Sequence, residues 1–240
     1  DVCLLYEPPL DYAIEKFNDF LVPFLWDTGF DICYSVRTVK ESLALAQKDI
    51  RVLTSFIEGR LLAGATTPFA QLRLHIRSLR PAGLAESFAA LRMRERMDSL
   101  REEHRDLYAP EPNIKESAGG LRDYHTALWL FSMSYGAKSL DEIMAQGLIS
   151  EEEHLEVAQA LDFIWRTRNE LHFHSGKEDD RLTFANQQHL AHAFGYGEEG
   201  SQPVARFMQD YYNASRQLRR FLTIAARTCH GLAPGDLDES

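Results

Sequence analysis

Phe30-Asp31-Ile32-Cys33-Tyr34-Ser35-Val36-Arg37 is the last stretch of the chain with a period of two. Ile32, Tyr34 and Val36 fall on one face, and Asp31, Cys33, Ser35 and Arg37 on the other, which predicts a strand with one polar side. From Val39 the spacing becomes helical and stays so. Upstream, Trp26-Asp27-Thr28-Gly29 reads as a turn. Asp11–Phe20 carries helically spaced Tyr12, Ile14, Phe17 and Phe20, and Val2–Tyr6 reads as a short strand stopped by Pro8-Pro9. Downstream, Asp49 is a cap for a helix through Leu62, with Gly64 just past its end. Helices follow over Pro68–Leu79, Leu84–Leu107 and about Leu121–Tyr135. Ser150 and Glu153 form a capping box for a long helix to about His174. Further helices cover Gln187–Phe194 and Pro203 to about Thr228. Two early strands and about nine helices predict a mainly α protein.

The chain has 240 residues, with 36 acidic and 26 basic side chains and a net charge of −10. A general nucleic-acid binder would carry a basic surplus, so no nucleic-acid partner is expected. No apolar stretch approaches the roughly 20 residues that cross a bilayer, so no membrane partner is expected. Three cysteines, Cys3, Cys33 and Cys229, stand far apart with no CxxC, which fits a reducing, cytoplasmic setting. No charged-then-apolar leader opens the sequence. The chain starts at Asp1 and runs straight into a strand, so an interior piece of a longer protein is expected.

Four places can carry chemistry. Asp1 ends a strand facing a second, polar strand, a position from which a carboxylate can hold Mg²⁺. Its i+2 neighbour is Cys3, a poor ligand for a hard cation; a frayed terminus beside a small buried cysteine is the plainer reading. The second place is Glu111-Pro112-Asn113-Ile114-Lys115-Glu116-Ser117-Ala118-Gly119-Gly120-Leu121-Arg122-Asp123. Gly119 and Gly120 let backbone come close to a ligand, and the N–H groups at the following helix start favour an anion. Lys115 and Arg122 add positive charge, and Asp123 can orient either a base or a metal-bound water. The order is not that of a P-loop; the alternative is a helix start capped by Ser117 with solvated charges. Third, His172 and His174 should face different sides of their helix, whereas His189 and His192 can face together, and metal binding is not favoured at either pair. HExxH, an adjacent His-Asp pair and GxSxG are all absent. Fourth, Arg92, Arg94, Arg96, Arg101 and Arg105 with Glu95, Glu102 and Glu103 read as a solvated face of i,i+4 pairs or a docking face.

These segments, in this order, resemble the bacterial PII uridylyltransferase/uridylyl-removing enzyme family. The likeness is carried by Phe24-Leu25-Trp26-Asp27-Thr28-Gly29, Ser35-Val36-Arg37-Thr38, Ile57-Glu58-x-Arg60-Leu61-Leu62-x-Gly64 and the Glu111–Asp123 segment. Asp180-Arg181-Leu182-x-Phe184 and Pro203-Val204-x-Arg206-Phe207-Met208-x-Asp210-Tyr211-Tyr212 extend it to about Ala226. The resemblance implies the C-terminal part of a polymerase-β-like nucleotidyltransferase α/β domain over 1–65, then a helical bundle domain over 66–230. Residues 231–240, polar in composition, are expected to form a flexible tail. The implied reaction moves UMP from UTP to a tyrosine of the PII protein, with Mg²⁺ as cofactor. It places Asp1 at the metal, Arg37, Lys115, Gly119, Gly120 and Arg122 at the nucleotide, and Asp123 as a catalytic orienting group. Cys3 stands where the family pattern, Asp-x-Asp, has its second carboxylate. Two further readings follow: a degenerate module that binds nucleotide or PII without transfer, and a nucleotidyltransferase with a different nucleotide or target.

Overall fold

The computed structural model describes residues 2–9, 12–29, 32–78, 82–102, 106–197 and 201–230. The chain is mainly α, as its periodicity predicts. The elements run β1 (Val2–Tyr6), α1 (Tyr12–Asp27), β2 (Tyr34–Thr38), α2 (Val39–Ala46), α3 (Ile50–Glu58), α4 (Thr66–Ser78), α5 (Ala82–Glu102) and α6 (Leu121–Tyr135). They continue with α7 (Leu140–Ala145), α8 (Glu151–Ser175), α9 (Phe184–Ala193) and α10 (Ser201–His230). Two compact units divide the chain, Asp1–Pro81 and Ala82–Ser240. The tail expected to be flexible lies outside the described residues.

In the first unit β1 and β2 pair in parallel, with Leu4 opposite Val36 and Leu5 opposite Arg37. Parallel neighbours need a crossover, and α1 supplies it. Thr38 then turns strand into helix. Its hydroxyl accepts from the Glu41 N–H, while the Glu41 carboxylate accepts from the Thr38 N–H, a reciprocal capping box at the start of α2. Asp49 caps α3 by accepting from the Arg51 N–H at 2.8 Å. That helix ends at Glu58 and not at Leu62, because the chain turns extended at Gly59, with φ −55° and ψ 138°. Glycine in a helix interior costs about 1 kcal/mol, so the ladder stops there. α4 packs on α2 and α3, so the division between compact units falls after α4, beyond the 65/66 boundary read from the sequence.

In the second unit α10 is the central element, packed on α5, α6, α8 and α9. Phe207, Tyr211, Leu218, Phe221, Leu222 and Ala225 form its buried stripe, at the i, i+4, i+7 spacing of one helix face. The Phe221 ring lies 5.7 Å from Phe131 and 5.8 Å from Tyr124, both on α6. The Ser150–Glu153 capping box opens α8, and Gly176, at φ +66°, closes it.

Candidate functional site

Two motifs far apart in the sequence form one piece of structure in the second unit. Residues 110–114 lie alongside 180–184. The Ile114 N–H donates to the Asp180 carbonyl at 2.7 Å, and the Leu182 N–H to the Pro112 carbonyl at 2.9 Å. Asn113 and Arg181 form an antiparallel bridge between them. The Gln187 carboxamide, buried on α9, donates to the carbonyls of Pro110 and Leu182, at 2.7 and 2.8 Å. The Glu111 carboxylate accepts from the Phe184 N–H at 2.9 Å and so caps the same junction.

From this base the chain makes a tight loop into α6. Asn113 Oδ1 accepts from the N–H groups of both Lys115 and Glu116, at 3.0 and 2.8 Å, the turn that a short carboxamide favours. Ser117 Oγ accepts from the Asn113 N–H at 2.9 Å. Ser117 is therefore not the cap of α6; that position belongs to Gly120, which has no side chain to offer. The amides expected to receive an anion are taken by the chain. Leu121 N–H donates to the Ile114 carbonyl at 3.1 Å, Arg122 N–H to the Lys115 carbonyl at 2.9 Å, and Gly119 N–H to Asp123 Oδ2 at 2.7 Å. The two glycines also have a reason within the fold. A Cβ on Gly119, which sits at φ +72°, would lie 2.2 Å from the Ser215 carbonyl oxygen on α10. One on Gly120 would lie 2.6 Å from the Ile114 carbonyl oxygen. Their close approach is to the chain's own backbone.

Beneath the loop lies a buried charge cluster. Asp123 is fully buried and Arg96, on α5, is 4% exposed. The Arg96 guanidinium donates to Asp123 Oδ1 at 2.5 Å and to the carbonyls of Glu116 and Ser117, both at 2.9 Å. Arg219, from α10, approaches Asp123 Oδ2 at 3.4 Å. At the half-buried rim Arg122 donates to Glu116 at 2.9 Å. Lys115 is also half-buried, and its ammonium has no hydrogen bond or ion pair among the described residues. The loop and its floor thus set four cations, Arg96, Lys115, Arg122 and Arg219, against two carboxylates, Glu116 and Asp123, in a chain whose net charge is −10.

Arg96 corrects the expectation that the charges of α5 form a wholly solvated face. Arg92 does pair with Glu95 at 2.7 Å one turn away, but Arg96 points inward. The signal is in the spacing: Ala89, Met93 and Leu100 are buried, and Arg96 occupies the same stripe at i+7 from Ala89. A charged residue in an apolar register marks a buried partner, in this case 27 residues away in sequence. Arg219 gives no such signal.

A second cluster joins α8 to the 176–183 turn. Arg168 donates to Asp180 Oδ1 at 2.6 Å and His172 Nε2 lies 3.0 Å from the same oxygen. Burial raises the Asp180 carboxyl, but the hydrogen bonds and charges of Arg168 and His172 outweigh it and hold the group below its ordinary value. His174 faces another way, as expected, and stacks on His189 with ring centroids 3.6 Å apart. His189 Nε2 is 2.9 Å from Glu170, and His192 is exposed. Among the described residues no three His, Cys, Asp or Glu side chains gather where they could hold a metal ion. Burial pushes the Cys229 thiol up to about 11, which disfavours the thiolate.

The remaining candidates belong to the first unit. Asp1 lies outside the described residues. Cys3 is exposed on β1, opposite Ser35, and not the small buried residue of the plainer reading. Arg37 is half-buried on β2. No helix among the described residues is long and apolar enough to cross a membrane.

A mainly helical chain with a cationic loop pinned at a helix start is a framework on which relatives are informative. The family model described as GlnD PII-uridylyltransferase matches residues 88–225, which include α6, α8, α9 and the whole loop. The chain belongs to this PII-uridylyltransferase family. A bifunctional uridylyltransferase/uridylyl-removing enzyme of Vibrio atlanticus is 34% identical over 221 residues, 91% of this chain and 25% of the relative. Proteins of the same description from Phenylobacterium zucineum and Pseudoalteromonas translucida are 34% and 32% identical, over 88% and 90% of the chain. The chain spans about a quarter of the length of these relatives. No solved structure matches it.

Proposed function

We propose that this chain serves a PII uridylyltransferase, moving UMP from UTP to a tyrosine hydroxyl of the PII protein. In this reading the first unit is the C-terminal part of a polymerase-β-like nucleotidyltransferase domain and the second is its helical partner, in a cytoplasmic enzyme. The tyrosine oxygen attacks the α-phosphorus, the bond from that phosphorus to the bridging oxygen breaks, and pyrophosphate leaves. Lys115 and Arg122 hold the phosphates. The single observation behind this is the charge count of the loop: a local cationic excess in an acidic chain, with one ammonium that has no partner among the described residues. The helix-start amides at Leu121 and Arg122 already donate within the chain, so the reading gives the anion to the side chains. Gly119 contributes by letting the loop pack against α10, and Gly120 by letting the loop close on its own carbonyls. Asp123, being buried, acts by orienting the loop and not by touching substrate. Arg37 is assigned to the nucleotide with the first unit.

Mg²⁺ stays in the reading as the cofactor expected at Asp1. The described residues do not complete a site for it: Cys3 offers a thiol where a hard cation needs oxygen. The roles of Lys115, Arg122 and Asp123 do not pass through the ion. That exposed thiol also favours a second reading, a module that binds UTP or PII without transfer.

The test is incorporation of labelled UMP into PII by the full natural chain, against its Lys115→Ala variant. Charged hydrogen bonds contribute about 1.5–3 kcal/mol, so KM for UTP should rise about tenfold to a hundredfold. An unchanged KM removes Lys115 from the site. A folded wild-type protein that retains UTP in dialysis but transfers nothing establishes the second reading.

A further inference from the structure

We infer that Arg96 is a positioning residue of the nucleotide site: it fixes the backbone around Lys115 and so the place from which that ammonium reaches a phosphate. The inference rests on the uridylyltransferase reading and adds to it a residue that never meets the substrate.

At 4% exposure Arg96 is closed off from any ligand. Each of its three nitrogens nevertheless donates to a different acceptor, the Asp123 carboxylate and the carbonyls of Glu116 and Ser117. Those two carbonyls are the first and second after Lys115. The Lys115 peptide is pinned on its other sides as well. Its N–H donates to Asn113 Oδ1 at 3.0 Å, and its carbonyl accepts from the Arg122 N–H at 2.9 Å. Every backbone polar group of Lys115 is thus engaged, while its ammonium is bound to nothing among the described residues. A fixed stem with a free cationic head is what preorganised anion binding requires, since less freedom is lost when the ligand arrives. Packing alone does not call for a guanidinium at this position. Met93 and Leu100 fill the same stripe of α5 with apolar atoms, and burying a charge is costly unless it is fully paired. A lysine at 96 keeps the charge beside Asp123 but cannot span the two carbonyls as a planar fork does.

The experiment is a double-mutant cycle in the full natural chain, with Arg96→Lys, Lys115→Ala and the pair, reading KM for UTP, kcat and Tm. Arg96→Lys should raise KM about tenfold with kcat within about threefold, and the pair should bind UTP no more weakly than Lys115→Ala alone. Losses that multiply in the pair mean the two residues act independently and overturn the inference. So does an unchanged KM in Arg96→Lys when Lys115→Ala raises it, a result that leaves the nucleotide reading intact. If Lys115→Ala itself has the wild-type KM, both fall. Should Arg96→Lys not fold, Asn113→Ala carries the same cycle from the half-buried side of the loop, and multiplying losses there overturn the clamp.

Discussion

α1 and α6 are nearly the same length, 16 and 15 residues, and both are rich in large apolar side chains. α6 buries Leu121, Tyr124, Trp129, Leu130, Phe131 and Met133. α1 buries Val22 alone and leaves Tyr12, Phe17, Phe20, Phe24 and Trp26 exposed. The difference is not in the helices but in what they meet. α6 lies between α5 and the long stripe of α10, whereas α1 connects the strands of a two-stranded parallel sheet and has no such packing partner among the described residues. Apolar content thus says that a helix can join a core; only the partner decides that it does. It follows that the second unit should carry most of the stability measured for this chain.

The sharpest way to break that contrast is to strike the charge cluster that α6 shares with α5. Arg96→Met leaves the Asp123 carboxylate fully buried, with the Gly119 N–H at 2.7 Å and Arg219 at 3.4 Å as its remaining partners among the described residues. Removing one partner of a buried pair costs about 3–5 kcal/mol. The urea midpoint should fall accordingly with little change in m-value. A loss below about 1 kcal/mol would mean that water reaches Asp123 and that the loop floor is not part of the core.

A smaller effect is expected at the contact between the loop and α10. Gly119→Ala puts a methyl into the Ser215 carbonyl and imposes a left-handed backbone on a side chain. Overpacking costs about 1–3 kcal/mol and the conformation about 1 kcal/mol more, so about 2–4 kcal/mol is expected. Gly147 separates the two contributions: it sits at φ +69° with open space around it, and Gly147→Ala should cost only about 1 kcal/mol. Equal losses at the two positions, read by thermal melts, would remove close packing as the reason for Gly119.

These positions also show what the sequence can and cannot disclose. Its local signals are sound. Asp49 caps α3, Ser150 and Glu153 box the start of α8, and period two marks β2 next to a helical run. Each of these depends on residues within a turn of one another. The failures share the opposite property. Arg96 reads with its i,i+4 neighbours because nothing local announces Asp123, 27 residues on. Gly119 points to a ligand because close approach is legible, while the approaching group, Ser215 on α10, is not. The pairing of 110–114 with 180–184 is likewise invisible to any window of one helix or strand. Lys115 stands out as a loop cation, yet its most informative property, a pinned backbone under a head group with no partner among the described residues, exists only in three dimensions.

The smallest effect tests the other side of the contrast. Phe20 is 64% exposed on α1 and stacks on Phe24, with ring centroids 5.6 Å apart. A surface aromatic with so little to lose should be replaceable. Phe20→Ser should change stability by no more than about 0.5 kcal/mol, since the ring gives up one partly exposed neighbour and helix propensity shifts little between Phe and Ser. Urea unfolding measured on this chain reads it directly. A cost above about 1 kcal/mol would show that the α1 face is covered in solution. The distinction between the two helices would then lie in how their cover is supplied and not in whether they have it.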